Sequence, residues 1–275
     1  MTICTNENVP SEQEFLLFQS LVHSRLGISL PKHKRVMLGH RLFKRVKALN
    51  LSSFGEYYRH INLLENAQEM ERALELITTN ETFFFREDKH FDFLKDEILS
   101  QVSPNKVFKV WSAAASSGEE PYSIAMILQK HCIAPWQLKA SDVNNSVLEH
   151  ARKGIYIDDR AKFLPAEYRT AYCMKGTDEY EGYLRVKPEL RKKVVFFNFN
   201  LLDSMADMEH VDLIFLRNVM IYFDDDTRQK IVNNLQKTLK PGGWLFISHS
   251  ETLHGLSHNF ELIKPAIYKL NSKSE

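Results

Sequence analysis

Apolar positions recur at two different periods along this chain, and the change of period divides it. Phe15, Leu16, Phe18, Leu21, Val22 and Leu26 fall at helical spacing, and Gly27 ends the run. A second helix is predicted after Pro31, with Met37, Leu38, Leu42, Val46 and Leu49 as its stripe. Ser52-Ser53 reads as the N-cap of a third, carrying Phe54, Tyr57, Tyr58 and Ile61. A fourth is predicted around Glu69 to Ile77.

From Lys106 onward, short β-rich runs alternate with helical patterns. The runs are Val107 to Trp111, Leu138 to Ser141, Val194 to Phe199, Val211 to Leu216 and Trp244 to Ser248. Helices are predicted to start near Glu119, Ser146 and Asp225. This alternation predicts an α/β fold with a parallel, doubly wound sheet. Between Tyr168 and Lys193 no helical period is visible, only short alternating pieces with Gly176 and Gly182 as turn signals. That stretch predicts a small antiparallel insertion, and Ile267 to Leu270 could supply a closing strand. The expected division is a helical domain over 1–77, a linker and cleft wall over 78–105, and an α/β domain over 106–275 with its insertion at about 168–193.

Composition narrows the function classes. With 36 basic and 35 acidic residues the formal net charge is +1, which gives no reason to expect nucleic acid as a partner. Cys4, Cys132 and Cys173 are far apart with no C-x-x-C spacing, against a disulfide framework and against a structural zinc site, so no metal is expected. Met1 to Pro10 lacks the basic start and apolar core of a signal peptide. No apolar run approaches the ~18 residues that span a bilayer. The expectation is a cytoplasmic protein without membrane insertion.

In a doubly wound sheet, ligands bind beyond the carboxyl ends of the strands. After the first run, Trp111 to Ser123 passes through very small residues and Gly118 into a helix start. Small residues permit close approach to the backbone, and glycine permits a turn that others would strain. Glu119 and Glu120 at that start would repel a diphosphate and suit a cationic or hydroxyl-bearing ligand, which disfavours NAD. They would equally serve to complement the helix dipole. Asp142 ends the second run, where an acid hydrogen-bonds ribose hydroxyls; it could also cap the next helix. Asn200 could offer its amide to an adenine edge or simply form a turn. Arg217 ends a buried strand, costly for a cation unless paired; taken alone, an internal salt bridge is its simpler reading. Packing explains Phe83, Phe84 and Phe85 at the helical-to-sheet junction but not Arg86.

Together these residues resemble the CheR-type chemotaxis methyltransferases. Thr-Thr-Asn-x-Thr-x-Phe-Phe-Arg fits 78–86, Trp-Ser-Ala-Ala-x-Ser-x-Gly-Glu-Glu-Pro-Tyr-Ser fits 111–123, and Ala-Ser-Asp fits 140–142. Arg-Asn-Val-x-Ile-Tyr-Phe fits 217–223 and Leu-Lys-Pro-Gly-Gly fits 239–243. The resemblance implies a small all-α N-terminal domain, then a Rossmann-like S-adenosylmethionine-dependent methyltransferase domain carrying a small antiparallel β-subdomain. It implies methyl transfer to the γ-carboxylate of glutamates on methyl-accepting chemotaxis receptors, leaving S-adenosylhomocysteine. It implies cofactor contacts from Asn80, Thr82, Arg86, Glu120, Asp142, Asn200, Leu201, Arg217 and Asn218. Arg86, Arg217 and Tyr222 would face the reacting methyl and the glutamate.

The chemistry suits these residues: an ionised carboxylate is already a nucleophile, so positioning and a dry pocket suffice without a general base. His249 and His254 read as structural. Lys32 to Lys47 holds basic residues and no acid, with Lys34, Arg41 and Arg45 on one helical face and Lys44 beside them. This one-signed run suits docking to acidic receptor helices, as the same helix does in the family. The insertion, 176–186, resembles the family subdomain that captures a receptor C-terminal peptide by strand addition. A monomer is expected. The rivals are a non-catalytic S-adenosylmethionine-sensing adapter that docks receptors, and a methyltransferase for another carboxylate or a small molecule.

Overall fold

Ser11 opens the first helix by a reciprocal cap: its hydroxyl accepts the Glu14 N–H at 3.2 Å, and the Glu14 carboxylate accepts the Ser11 N–H at 2.7 Å. This is the start of α1 (Glu12–Leu26) in a computed structural model that describes residues 8–272. Cys4 and residues 1–7 of the N-terminal stretch lie outside the described residues. Gly27, at φ 70°, closes α1 with its N–H on the His23 carbonyl. A 3₁₀ turn, Lys32–Lys34, leads into α2 (Arg35–Ala48). Ser53 caps α3 (Phe54–Ile61), and α4 spans Ala67–Ile77. Most of the apolar stripes read from the sequence are buried: Leu16 is exposed and Met37, Leu49 and Tyr58 are half-buried, whereas Phe15, Phe18, Val22, Leu38, Leu42, Tyr57 and Ile61 are each nearly inaccessible. Burial of each such side chain contributes about 1.5–3 kcal/mol. These helices form one unit, Met1–Thr79, which also takes in Tyr222–Asp224.

The second unit, Asn80–Ile221 with Asp225–Glu275, begins with α5 (Lys89–Phe93) and then builds the sheet. Its elements are β1 (Phe108–Ser112), α6 (Glu119–His131), β2 (Trp136–Asp142), α7 (Asn145–Lys153), β3 (Ile155–Ile157), α8 (Ala166–Tyr172), β4 (Cys173–Lys175), β5 (Tyr183–Val186), α9 (Pro188–Arg191), β6 (Val194–Asn198), β7 (Val211–Phe215), α10 (Asp225–Thr238), β8 (Leu239–Phe246), β9 (Phe260–Lys264) and β10 (Ile267–Leu270). The main sheet runs β6-β2-β1-β7-β8-β10-β9. The first five strands in that order are parallel; β10 and β9 add antiparallel at one edge. Strand order reverses at β1, so the switch point lies over the carboxyl ends of β1 and β7.

A small sheet, β3-β5-β4, is antiparallel throughout. The stretch 168–193 holds two of its three strands; the third, β3, comes earlier. That stretch is also not free of helix, since it contains the end of α8 and all of α9. Helices this short display too little of a 3.6-residue period to be seen in the sequence. β9 was also invisible, because beyond Phe260 its residues are exposed and show no alternation. Among the described residues no helix is long and apolar enough to cross a membrane.

Candidate active site

The turn after β1 is held from inside. Trp111 is fully buried and donates its indole N–H to Ser141 Oγ at 3.0 Å. Ala113 N–H bonds the Phe215 carbonyl and Ala115 N–H the Ser141 carbonyl, both at 2.8 Å, so the small residues continue the ladder between β7 and β2. Gly118, at φ 98°, starts α6. A Cβ there would lie 2.8 Å from both Ala151 Cβ and the Tyr156 hydroxyl. Packing against α7 and β3 therefore requires this glycine, rather than approach of a ligand.

The two carboxylates at the start of α6 part company. Glu119 is fully buried, accepts from Ser117 Oγ at 2.6 Å and has Arg160 at 3.5 Å. Burial raises its pKa despite these partners. It belongs to the interior, which corrects the expectation that both acids face a ligand. Glu120 instead accepts from Ser112 Oγ at 2.8 Å and from Arg217 Nη1 at 3.0 Å. Burial raises its carboxyl, with Arg217 opposing.

Arg217, at the end of β7, is the centre of the site; its side chain is 1% exposed. Nη1 meets Glu120, while Nη2 lies 3.2 Å from Glu87 and donates to the Arg86 carbonyl. Its guanidinium carbon stands 5.8 Å from the Phe91 ring centroid, and Nε is buried with no hydrogen-bond partner among the described residues. Taken alone, then, Arg217 is the internal salt bridge that the sequence suggested, except that it serves two anions.

Asp142 ends β2 half-buried. One carboxylate oxygen accepts the Ser116 N–H at 2.8 Å and the other the Asn144 N–H at 3.0 Å, and the Val143 N–H adds a third bond. Burial raises its pKa against those bonds. The cap of α7 is Asn144, whose side chain accepts from Val147 N–H. Asn200 turns the chain by accepting the Leu202 N–H at 3.0 Å, and Leu201 beside it is buried. Asn218, at φ 58°, donates its amide to Ser248 Oγ at 2.6 Å and its N–H to Glu251 at 3.1 Å.

The 80–87 segment joins the same crevice. The Asn80 carbonyl accepts from Ser116 Oγ at 3.0 Å, and Thr82 is half-buried nearby in sequence. Phe85 and Glu87 hold φ at 54° and 58°, unusual for non-glycine residues, and thereby flank Arg86 with strained backbone. Phe85 N–H is tied to Ser123 Oγ at 2.9 Å. The Arg86 guanidinium lies over Phe83 at 5.6 Å and donates to the Glu81 carbonyl at 3.1 Å. Unlike Arg217 it has no carboxylate partner among the described ion pairs. Glu87, Ser248 and Glu251 escaped the sequence reading; their only signal was position, directly after Arg86 and directly after β8.

Tyr222 groups with the helical unit, where its carbonyl accepts the Ser29 N–H at 2.7 Å. Within that unit the basic face of α2 is partly spent. Arg41 donates to the carbonyls of Ile77 and Thr78 and to Thr79 Oγ1, closing the end of α4. Arg45 forks onto Glu69 at 2.8 and 2.6 Å. Lys34 and Lys44 are exposed.

Two family models cover the chain: the CheR methyltransferase all-alpha domain matches residues 13–78, and the CheR methyltransferase SAM binding domain matches 80–269. The chain is 42% identical over 268 residues to the chemotaxis protein methyltransferase of Escherichia coli K12, covering 95% of this chain and 92% of that protein. It is 40% identical over 265 residues to the same-named protein of Salmonella typhimurium, covering 95% and 91%. A third, from Borreliella burgdorferi, is 40% identical over 281 residues, covering 97% and 96%.

Proposed function

The chain belongs to the CheR methyltransferase family, and from that premise we propose that it methylates the γ-carboxylates of glutamates on chemotaxis receptors. Methyl transfer from S-adenosylmethionine in chemotaxis is what the family membership carries; the glutamate and the receptor are our reading.

One observation carries it most: Arg217 is shared by two carboxylates, Glu87 and Glu120, at the switch point of the sheet. One cation among two anions leaves a net negative wall, which suits a sulfonium and an ammonium and repels a diphosphate. The residues fit the cofactor. Glu120, held by Arg217 from behind, presents its carboxylate to the ammonium of the amino-acid end. The Asp142 carboxylate, fixed by backbone N–H groups, is proposed to take a ribose hydroxyl, and Leu201 offers an apolar surface beside Asn200. Asn80, Thr82 and Asn218 would complete the contacts.

When bound, the cofactor supplies an electrophilic methyl on a cationic sulfur. The protein's task is to hold a glutamate carboxylate in line with it and exclude water. Arg217 is closed in by its own carboxylates, so we assign the incoming carboxylate to Arg86, whose guanidinium has only a carbonyl and a ring to leave. For Tyr222 only the part in this step that the family resemblance implies is carried over as a proposal. For partner docking we retain Lys34 and Lys44 of the basic helix and drop Arg41 and Arg45. An edge of the small sheet is proposed to accept a receptor tail by strand addition; calorimetry with such a peptide, giving heat if it binds, checks this.

The decisive experiment incubates the chain with methyl-labelled cofactor and receptor membranes. Base-labile label on receptor glutamates supports the proposal. Label stable to base, or none on the receptor, sinks it.

A further inference from the structure

We propose that Glu87 is a positioning residue for methyl transfer, fixing the plane of the Arg217 guanidinium through a network anchored on the turn after β8. This rests on the reading of Arg217 given above and assigns a role to residues outside the expected cofactor set.

The network is closed by hydrogen bonds. Ser248 Oγ donates to one Glu87 oxygen at 2.7 Å, and the other lies 3.0 Å from His249 Nδ1 and 3.3 Å from the His249 N–H. That second oxygen is also the one 3.2 Å from Arg217 Nη2. Ser248 Oγ further accepts the Asn218 amide, so a single hydroxyl links Glu87 to the residue following Arg217. Glu251 accepts the N–H groups of Asn218, Met220 and Ser248 at 3.1, 2.8 and 2.8 Å, which fixes the loop after β7 against the same turn. Burial works against the Glu87 carboxylate, but Arg217 and the bonds from Ser248 and His249 outweigh it and hold its pKa down at about 2. Glu87 therefore stays anionic.

A metal reading of this cluster fails on geometry. Ligand atoms of Glu87, His90 and His249 lie within 4.8 Å of one another. Yet the two imidazoles are stacked at 4.8 Å and 8°, so their in-plane lone pairs do not converge on one ion, and Arg217 already occupies Glu87. His90, fully buried, has no hydrogen bond to either ring nitrogen among the described residues, its Nδ1 standing 3.5 Å from Glu87, and instead acts as a flat neutral spacer between His249 and Phe246.

Glu120 alone would draw the guanidinium toward α6; Glu87 pulls from the opposite terminal nitrogen, and the balance sets the plane. Misplacement of such a group by about 1 Å can cost up to 10²-fold in rate.

The test compares wild type with Glu87→Gln and Glu87→Asp in the full chain. It reads kcat and KM for S-adenosylmethionine with receptor membranes, and the ¹H–¹⁵N guanidinium signals of Arg217 in the S-adenosylhomocysteine complex, assigned with Arg217→Lys. Glu87→Gln is expected to lower kcat about ten-fold while KM changes about two-fold or less, and to average the separate Nη signals of Arg217 by freeing its rotation. Glu87→Asp, which keeps the charge, is expected to fall between. Unchanged kcat and unchanged Arg217 signals, with only a lower melting temperature, would overturn the proposal. If Glu87→Gln does not fold, Ser248→Ala is read the same way. If wild type transfers no methyl to receptors, the functional reading fails, while the Arg217 signals still decide the positioning role.

Discussion

Arg45 and Arg217 each meet carboxylates in a partly dry setting, and they do it differently. In the helical unit Arg45 places Nε and Nη2 on the two oxygens of Glu69, whose Oε1 also accepts the Tyr57 hydroxyl at 2.8 Å. One cation meets one anion in a closed fork, with 21% and 14% of the side chains exposed. In the sheet unit Arg217 divides its nitrogens between Glu87, Glu120 and a carbonyl, and keeps Nε unused. The first arrangement is complete and structural. The second sets two anions on one cation, so a cationic ligand group complements it.

The sharpest way to break this comparison is to replace both arginines by lysine. One ammonium cannot span Glu87 and Glu120, whereas it can still meet Glu69. Arg217→Lys is expected to lose on the order of 100-fold or more in kcat/KM, read by methyl incorporation, with weakened S-adenosylhomocysteine binding by calorimetry. Arg45→Lys should leave both within about two-fold. Equal losses at the two sites would erase the distinction.

Removing the anion rather than the cation comes next in size. Glu69→Ala strands the Arg45 guanidinium and the Tyr57 hydroxyl, and should destabilise the helical unit by about 2–4 kcal/mol. Chemical denaturation followed by helix signal would measure it, while cofactor affinity stays constant. A loss below about 0.5 kcal/mol would mean the fork is worth no more than an exposed pair.

What the chain disclosed in advance follows the same division between closed and open arrangements. The helices and parallel strands were legible because their periods are long and their burial one-sided or complete: Phe18, Leu38 and Tyr57 lie where spacing put them. Asp142 and Arg217 were legible because a polar residue ending an apolar strand of an α/β sheet has a restricted set of uses. The internal partners of Arg41 and Arg45 are not legible in the sequence, since a run of like charges shows nothing of the acids and carbonyls that α4 supplies in the fold. Glu119 and Glu120, adjacent in sequence, were given one role although a helix turns successive residues by 100° and sent them to opposite environments. Glu87 was hidden for a similar reason: its partners, Ser248 and Arg217, are more than a hundred residues away.

Acid should separate the units further. Burial, with Arg217 adding to it, pushes His90 down to about 3 from an ordinary value of 6.5. Below 6.5 the unfolded chain takes up a proton that the folded one refuses, so stability falls as pH drops from about 6.5 towards 3, by at most about 1.4 kcal/mol per pH unit. Glu87, held near 2 against 4.5, adds a second loss as pH falls from about 4.5 towards 2. Denaturant midpoints of the sheet unit at about pH 7 and about pH 5 should differ, and His90→Phe should remove that difference while leaving the loss at lower pH. A slope unaltered by His90→Phe would place the acid sensitivity elsewhere.

The smallest effect tests what remains of the basic face. Lys34 and Lys44 are exposed and carry no ion pair among the described residues, whereas Arg41 is spent on the carbonyls that end α4. Burial lowers the Arg41 pKa, in keeping with a buried cap rather than a free surface charge. Exposed charges act mainly through long-range steering, which salt screens beyond about 10 Å at 0.1 M. Reversing both as Lys34→Glu and Lys44→Glu should therefore raise KM for receptor membranes a few-fold at low salt, with the difference fading as salt rises. Melting temperature and S-adenosylhomocysteine affinity should not move. Arg41→Ala should do the opposite, lowering the melting temperature through the uncapped end of α4. If instead Arg41→Ala alone raised the receptor KM with unchanged stability, the arginine would have to be read as a docking residue and the helical unit as holding an open cation of its own.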